Sequence, residues 1–331
     1  MKHQIYLFLL FTILLLSSCF DNNNSCPEKS IGEELLTFNY FNEGTPSVTP
    51  SPTEKKGNIT FEPAFATPVF NGVEIVIPGV RLKSESHNLE IVKFKVDERT
   101  GKEACFEFQN EFTNAQSSFR TKIASVLVLD MSTSLFNNII QLKNYAKEYA
   151  KYVVYNSPNS TVAVVFFSDR DAIQVTQFYT SANINQLDQL IDNYSDYQER
   201  SALFQAVQTG IEILDNLTFD GEKSLVVFTD GGDNDSNNPS QLISKINTSK
   251  VEKFAIGLRG TDYKESSLRS IVSEPGSLKV AEDINSLQSI FRIISRSVIS
   301  VYEIRYRRSD QLLNKSESVD IRLSFESKKI E

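Results

Sequence analysis

The stretch Val126-Leu127-Val128-Leu129-Asp130-Met131-Ser132-Thr133-Ser134 runs four apolar residues into an aspartate and then sets two hydroxyls at alternate positions. An apolar run of this length followed by polar residues predicts a buried strand ending where a helix begins. The side chains at that end are hard oxygens, which suit a divalent cation better than a covalent reaction. Mg²⁺ in particular takes octahedral oxygen ligands and keeps several waters. A second run, Ser224-Leu225-Val226-Val227-Phe228-Thr229-Asp230-Gly231-Gly232, ends the same way, in a carboxylate at a turn.

Working outward, apolar strands alternate with amphipathic helices from Ile123 onward, the pattern of a parallel sheet covered on both faces. Leu135, Ile139, Leu142, Ala146, Tyr149 and Val153 recur at helical spacing after the first strand. Residues 161–167 predict a second strand and 173–179 a third. A helix follows over 202–217, with Leu203, Ala206, Gly210, Ile211 and Leu214 inward. After the strand ending at Asp230 come a helix over 239–246, a strand over 251–258, a helix over 265–272, a short strand around Leu278 and a helix from Ile284. The expected class is α/β, a doubly wound, mostly parallel sheet flanked by helices. If its order is 3-2-1-4-5-6, the strands ending at Asp130 and Asp230 flank the switch point where a crevice opens.

These residues resemble the von Willebrand factor type A domain with its metal-ion-dependent adhesion site, over about residues 120–300. Asp130, Ser132 and Ser134 match the D-x-S-x-S motif, and Asp230 in Thr229-Asp230-Gly231 matches the later aspartate. The threonine loop of that family aligns with residues 199–206, placing Ser201 where a threonine is usual. The resemblance implies a bound Mg²⁺ (or Mn²⁺/Ca²⁺) with an open position, completed by a carboxylate of a protein partner, and no bond made or broken. Three features depart from the family pattern: Glu199 and Arg200 replace small residues before Ser201, and Thr133 stands where a glycine is common. Taken singly, Ser132, Ser134 and Ser201 read as helix caps and Asp230 as a turn residue. The run Asp233-Asn234-Asp235-Ser236-Asn237 opens like a calcium loop, but Asn238 and Ser244 replace the Gly and Glu that an EF-hand needs. It reads as a polar rim.

Outside this domain, residues 58–119 show alternating runs such as Val73/Ile75/Ile77 and Val92/Phe94/Val96, which predict strands with one wet face. Residues 301–331 return to the same period, with Tyr302/Ile304/Tyr306 and Val319/Ile321/Leu323/Phe325. Two strands cannot stand alone in water. Pairing them with the N-terminal strands makes one smaller β domain interrupted by the α/β domain.

The N-terminus reads as an export signal over 1–18, with Lys2, an apolar run over 5–16 and small Ser17 and Ser18 before Cys19. Leu16-Ser17-Ser18-Cys19 resembles the bacterial lipobox, which implies lipidation at Cys19, an envelope location and, in a host with two membranes, the outer membrane or cell surface. The polar, Pro/Ser/Thr-rich residues 19–57 read as a flexible tether. Cys26 and Cys105 either form a disulfide in an oxidising compartment or stay as two thiols. Lys+Arg 34 against Asp+Glu 42, net charge -8 and no long like-charge block, argue against nucleic acid as partner.

Enzyme chemistry has a poor cast. His87 is the one histidine left after the signal, and it lies in the β region far from the carboxylates. No glycine-rich phosphate loop follows a strand. The competing readings are an envelope scaffold that docks its partner without metal and a metal-dependent hydrolase lacking an identifiable general base.

Overall fold

The computed structural model describes residues 33–39, 47–51, 58–60, 65–69, 72–83, 88–100, 107–108, 119–309 and 318–330. The signal segment 1–18, Cys19, Cys26, His87 and Cys105 lie outside them. The first strands are β1 (Glu33–Asn39), β2 (Ser47–Ser51), β3 (Asn58–Thr60), β4 (Phe65–Val69), β5 (Gly72–Lys83), β6 (Asn88–Thr100), β7 (Glu107–Phe108) and β8 (Phe119–Arg120). The α/β region carries β9 (Ile123–Asp130), β10 (Thr161–Phe167), β11 (Gln174–Val175), β12 (Glu222–Thr229), β13 (Glu252–Leu258) and β14 (Leu278–Ala281), and the chain ends with β15 (Tyr302–Ser309) and β16 (Ser318–Lys329). The helices are α1 (Ile139–Asn156), α2 (Ile184–Asn193), α3 (Leu203–Asp215), α4 (Pro239–Thr248), α5 (Glu265–Arg269) and α6 (Ile284–Val298).

The central sheet runs β11-β10-β9-β12-β13-β14, which is 3-2-1-4-5-6 in order of appearance. Neighbours from β10 to β14 are parallel. Every residue of β9 is buried, and its side chains divide by the strand period. Ile123, Leu127 and Leu129 enter a core with α1, α2 and α6, whereas Ala124, Val126 and Val128 enter one with α3, α4 and α5. The helices after β9 and β12 therefore cover opposite faces, and the crevice between those strand ends is the switch point.

Gly210 of α3 permits close approach on the second face. A Cβ there would lie 2.7 Å from Leu225 Cδ1 and 3.1 Å from Val128 Cγ2. Overpacking costs about 1–3 kcal/mol, and the helical preference of Ala over Gly returns about 1 kcal/mol. Gly210→Ala is expected to lower the urea midpoint with an unchanged slope. A midpoint at or above wild type would mean that α3 can lift off the sheet freely.

Two expectations are corrected. The third strand is not a full strand over 173–179: only Gln174–Val175 pairs, antiparallel to β10, with a bridge from Val162 to Tyr179. Residues 168–173 are too short for the crossover of roughly a dozen residues that a parallel strand needs. The segment 19–57 is not all tether, because β1 and β2 fall within it. β1 pairs with β16 through Leu36↔Ile321 and Phe38↔Val319. That partner lies almost three hundred residues away in sequence and leaves no local mark. β2, with Pro50, takes the edge of its sheet, where a missing donor is tolerated. Helix α2 is an addition that the periodicity reading did not include.

The second sheet follows the expected pairing of chain ends. β15 lies against β5 and β16 against β6, both antiparallel. Arg81 of β5 pairs with Glu222, the first residue of β12, at 3.6 Å. Glu222 opens the strand that Thr229 closes, so this contact sits at the end of the central sheet opposite Asp130 and Asp230.

Candidate metal centre

Asp130 closes β9 and is fully buried. Its Oδ1 accepts the Ser132 amide at 2.9 Å, and its Oδ2 accepts the hydroxyls of Thr229 at 2.5 Å and Ser201 at 3.5 Å. Thr229 arrives through register: Phe228 pairs with Leu129, so the next residue of β12 lies beside Asp130. The Ser132 and Ser134 hydroxyls are 3.0 Å apart, and Ser134 Oγ donates to Asp230 Oδ1 at 3.0 Å. All five expected residues, Asp130, Ser132, Ser134, Ser201 and Asp230, thus join one chain of oxygens. It descends from the exposed Ser134 to the buried Asp130.

The capping alternatives do not hold. Ser132 precedes the 3-10 turn Thr133–Asn138 but makes no side-chain cap, and α3 has Ala202 at its cap position, also without one. Asp230 is more than a turn residue, since it receives Ser134. Thr133, where glycine is common, is exposed and donates its amide to Gln198 O at 2.9 Å.

The two carboxyls of the cluster are shifted in the same direction. Burial pushes the Asp130 carboxyl up, against the hydrogen bonds from Thr229, Ser132 and Ser201. Burial and then the charge of Asp130 push Asp230 up to about 6. Among the described residues, no Lys or Arg hydrogen-bonds or ion-pairs with either acid. A fully buried carboxylate beside a half-buried one, with no counter-charge, is costly unless something positive joins them.

The donor set fits Mg²⁺. Oxygens about 2.1 Å from an octahedral centre leave adjacent ligands roughly 3 Å apart, which is the spacing found from Ser132 to Ser134 and from Ser134 to Asp230. Among the described residues, no group of three or more His, Cys, Asp or Glu side chains is placed to hold a metal. A cation here would therefore rely on two carboxylates and several hydroxyls, a hard set suited to Mg²⁺, Mn²⁺ or Ca²⁺.

The loop expected as a rim builds part of the site. Asn234 Oδ1 accepts the Ser201 amide at 2.8 Å, and the amides of Asn234 and Asp235 return to Ser201 O at 2.9 and 3.1 Å. Asp233 accepts the Phe204 amide at 3.1 Å and Ser236 the Gln205 amide at 3.0 Å, so they cap α3 from outside its own chain segment. Arg200 does not stand free beside the site: its Nη1 donates to Asp235 Oδ1 at 3.0 Å. Glu199 is exposed. Thr229 and the Asp233–Ser236 cradle were missed from sequence because their partners are set by strand register and loop packing.

At the switch point of a doubly wound sheet, a buried carboxylate is thus surrounded by the hydroxyls of Ser132, Ser134, Ser201 and Thr229, a set of hard oxygens that would suit a cation. The model of the von Willebrand factor type A domain matches residues 126–293, just over half the chain, and the chain belongs to that family. No functionally curated protein matches it in sequence. Among solved structures, proximal thread matrix protein 1 from the mussel byssus, with a zinc-occupied MIDAS motif, is 22% identical, with TM-score 0.44, over 58% of this chain and 48% of that one. The chain thus spans about half the length of the mussel protein. A von Willebrand factor type A protein from Catenulispora acidiphila is 12% identical, with TM-score 0.46, over 82% of this chain and 66% of that one. The pilus adhesin SpaC from Lactobacillus rhamnosus GG, in its open conformation, is 10% identical, with TM-score 0.47, over 83% and 44%.

Proposed function

We propose that this protein is a protein-binding module that uses a divalent cation, Mg²⁺ in the first place, to bridge to a carboxylate of its partner. The observation that carries the reading is the acid pair of buried Asp130 and half-buried Asp230, without a cationic neighbour among the described residues, joined by hydroxyls at octahedral-edge spacing. When bound, the cation supplies a Lewis-acidic position open to an incoming oxygen. Asp130, held by Thr229 and Ser201, anchors the inner side, and Ser134 and Asp230 face outward. Beside Ser134, Phe136 and Ile140 are 58% and 71% exposed, and Phe136 meets Tyr197 edge-on at 5.8 Å. Such an apolar rim suits a protein surface, which typically buries aromatics around a polar anchor.

The role is binding without turnover. We further propose that Cys19 carries a lipid anchor and places the module on the cell envelope; among the described residues, no helix is long and apolar enough to cross a membrane. Mass spectrometry of the mature N-terminus tests the anchor, with an acylated Cys19 as the expected product.

Calorimetric titration of Mg²⁺ or Mn²⁺ into the full chain is expected to give saturable heat and a raised Tm. Capture from envelope extract is expected to retain an acidic-faced protein with Mg²⁺ and release it with EDTA. Retention unchanged by EDTA would replace metal bridging with a metal-independent scaffold. EDTA-sensitive turnover of a phosphoester or peptide would point to a hydrolase.

A further inference from the structure

The sequence motif accounts for the cation ligands but not for the most heavily bonded carboxylate near them. Asp235 has a side chain only 3% exposed and takes four donors: the Arg170 amide at 2.9 Å, Arg170 Nε at 3.2 Å, Arg170 Nη2 at 2.7 Å and Arg200 Nη1 at 3.0 Å. These bonds hold its carboxyl well below the usual range. Its carboxylate takes these bonds from Arg170 and Arg200 and none from the five oxygen-bearing side chains of the site.

What Asp235 does is tie three loops together. Arg170 lies just past the end of β10, Arg200 immediately precedes Ser201, and Asp235 sits five residues beyond Asp230. The same short loop grips Ser201 through both of its backbone polar groups, the amide on Asn234 Oδ1 and the carbonyl on the amides of Asn234 and Asp235. On the other side, the Ala202 amide donates to Ser168 O at 2.7 Å, tying the Ser201 loop to the end of β10. The segment carrying one ligand, Asp230, therefore fixes the position of another, Ser201. A bidentate guanidinium–carboxylate contact is the directional lock such an arrangement needs.

We infer that Asp235, clamped by Arg170 and Arg200, is a positioning residue that sets the Ser201 hydroxyl for cation binding. The inference rests on the cation-binding reading above. Asp235 donates nothing to the cation; it removes the freedom of the Ser201 loop, so that this ligand is in place before the cation arrives. Charged Glu199 and Arg200 are thereby accommodated where the family uses small residues: one of them is consumed in the lock.

The test is a double-mutant cycle read by calorimetric titration of Mn²⁺ into the full chain, with Tm measured in EDTA as the control for folding. Asp235→Asn is expected to weaken Mn²⁺ binding by about 10-fold, within the span seen for groups that orient ligands. Ser201→Ala is expected to weaken it by a similar factor. Together they should cost little more than either alone, because each removes the same oxygen from the site. A merely structural Asp235 would lower Tm and leave affinity unchanged, or would multiply with Ser201→Ala; either result overturns the inference. If Asp235→Asn does not fold, Arg170→Lys keeps the charge and loses the bidentate contact, and it must show the same non-additivity with Ser201→Ala. Wild-type protein that binds no Mn²⁺ would overturn the cation reading and this inference together. Wild-type binding with an unaffected Asp235→Asn would overturn this inference alone.

Discussion

Asp130→Asn is expected to abolish measurable Mg²⁺ binding while raising the Tm of the cation-free protein. The side chain keeps its shape, so the strand end and the Ser132 amide contact survive. What disappears is a negative charge with no exposure, whose pKa is driven up by burial and which no Lys or Arg balances among the described residues. Without cation that charge opposes folding, and with cation it anchors the ion. Removing it should act in opposite directions on the two states. Loss of this inner anchor should exceed the cost of disturbing an orienting group, so an affinity loss above about 100-fold is anticipated. Calorimetry in Mg²⁺ and thermal melts in EDTA measure the two halves. Wild-type affinity in the variant would remove Asp130 from the site, and a lowered Tm in EDTA would make its charge a structural asset.

The second large effect is a reversal of pH dependence by cation. Burial, then the charge of Asp130, raise Asp230 to about 6, from an ordinary value near 3.8. A carboxyl whose folded pKa lies above its unfolded one binds its proton more tightly when folded. Its contribution to stability is fully present below the unfolded value and is lost as pH rises through about 6. The shift corresponds to at most about 3 kcal/mol, and Asp130, also raised, adds in the same direction. Bound cation competes with that proton, so its stabilisation should grow over the window in which the EDTA curve falls.

Other acids slope the opposite way, Asp235 and Asp283 among them. The quantity to follow is therefore the stability difference between wild type and Asp230→Asn, from pH 4 to 7. In EDTA the difference should move against wild type with rising pH, and in saturating Mg²⁺ it should move in its favour. Parallel curves in the two conditions would mean that Asp230 does not meet the cation, and a flat difference in EDTA would mean that it does not carry the raised pKa.

Much of this arrangement is legible in the chain because it rests on local periodicity. The run from Ile123 to Leu129, apolar except for Ser125, has the length and pattern of a strand covered on both faces, and Leu142, Ala146, Tyr149 and Val153 have the spacing of one face of a helix. Asp130, Ser132 and Ser134 are close in sequence, so backbone geometry alone brings them to one strand end. Ser201 is harder, since its neighbours Glu199 and Arg200 depart from the pattern that marks the loop.

Other features depend on parts of the chain far apart in sequence. Strand order brings β12 beside β9 and so sets Asp230 opposite Asp130, and register sets Thr229 against Asp130. Packing of the Asp233–Ser236 loop gives Arg200 a carboxylate to hold, turning a charge beside the site into part of its scaffold. β1 became a strand for the same reason: its backbone partners on β16 exist only after folding. The chain by itself determined the elements and the oxygen-rich motif, because these follow from side-chain spacing along a helix or strand. Only the tertiary structure decided which carboxylate is buried without a counter-charge, which hydroxyls reach it and what holds Ser201 in place. Burial and hydrogen-bond partnership belong to contacts across the fold, and no local spacing encodes them.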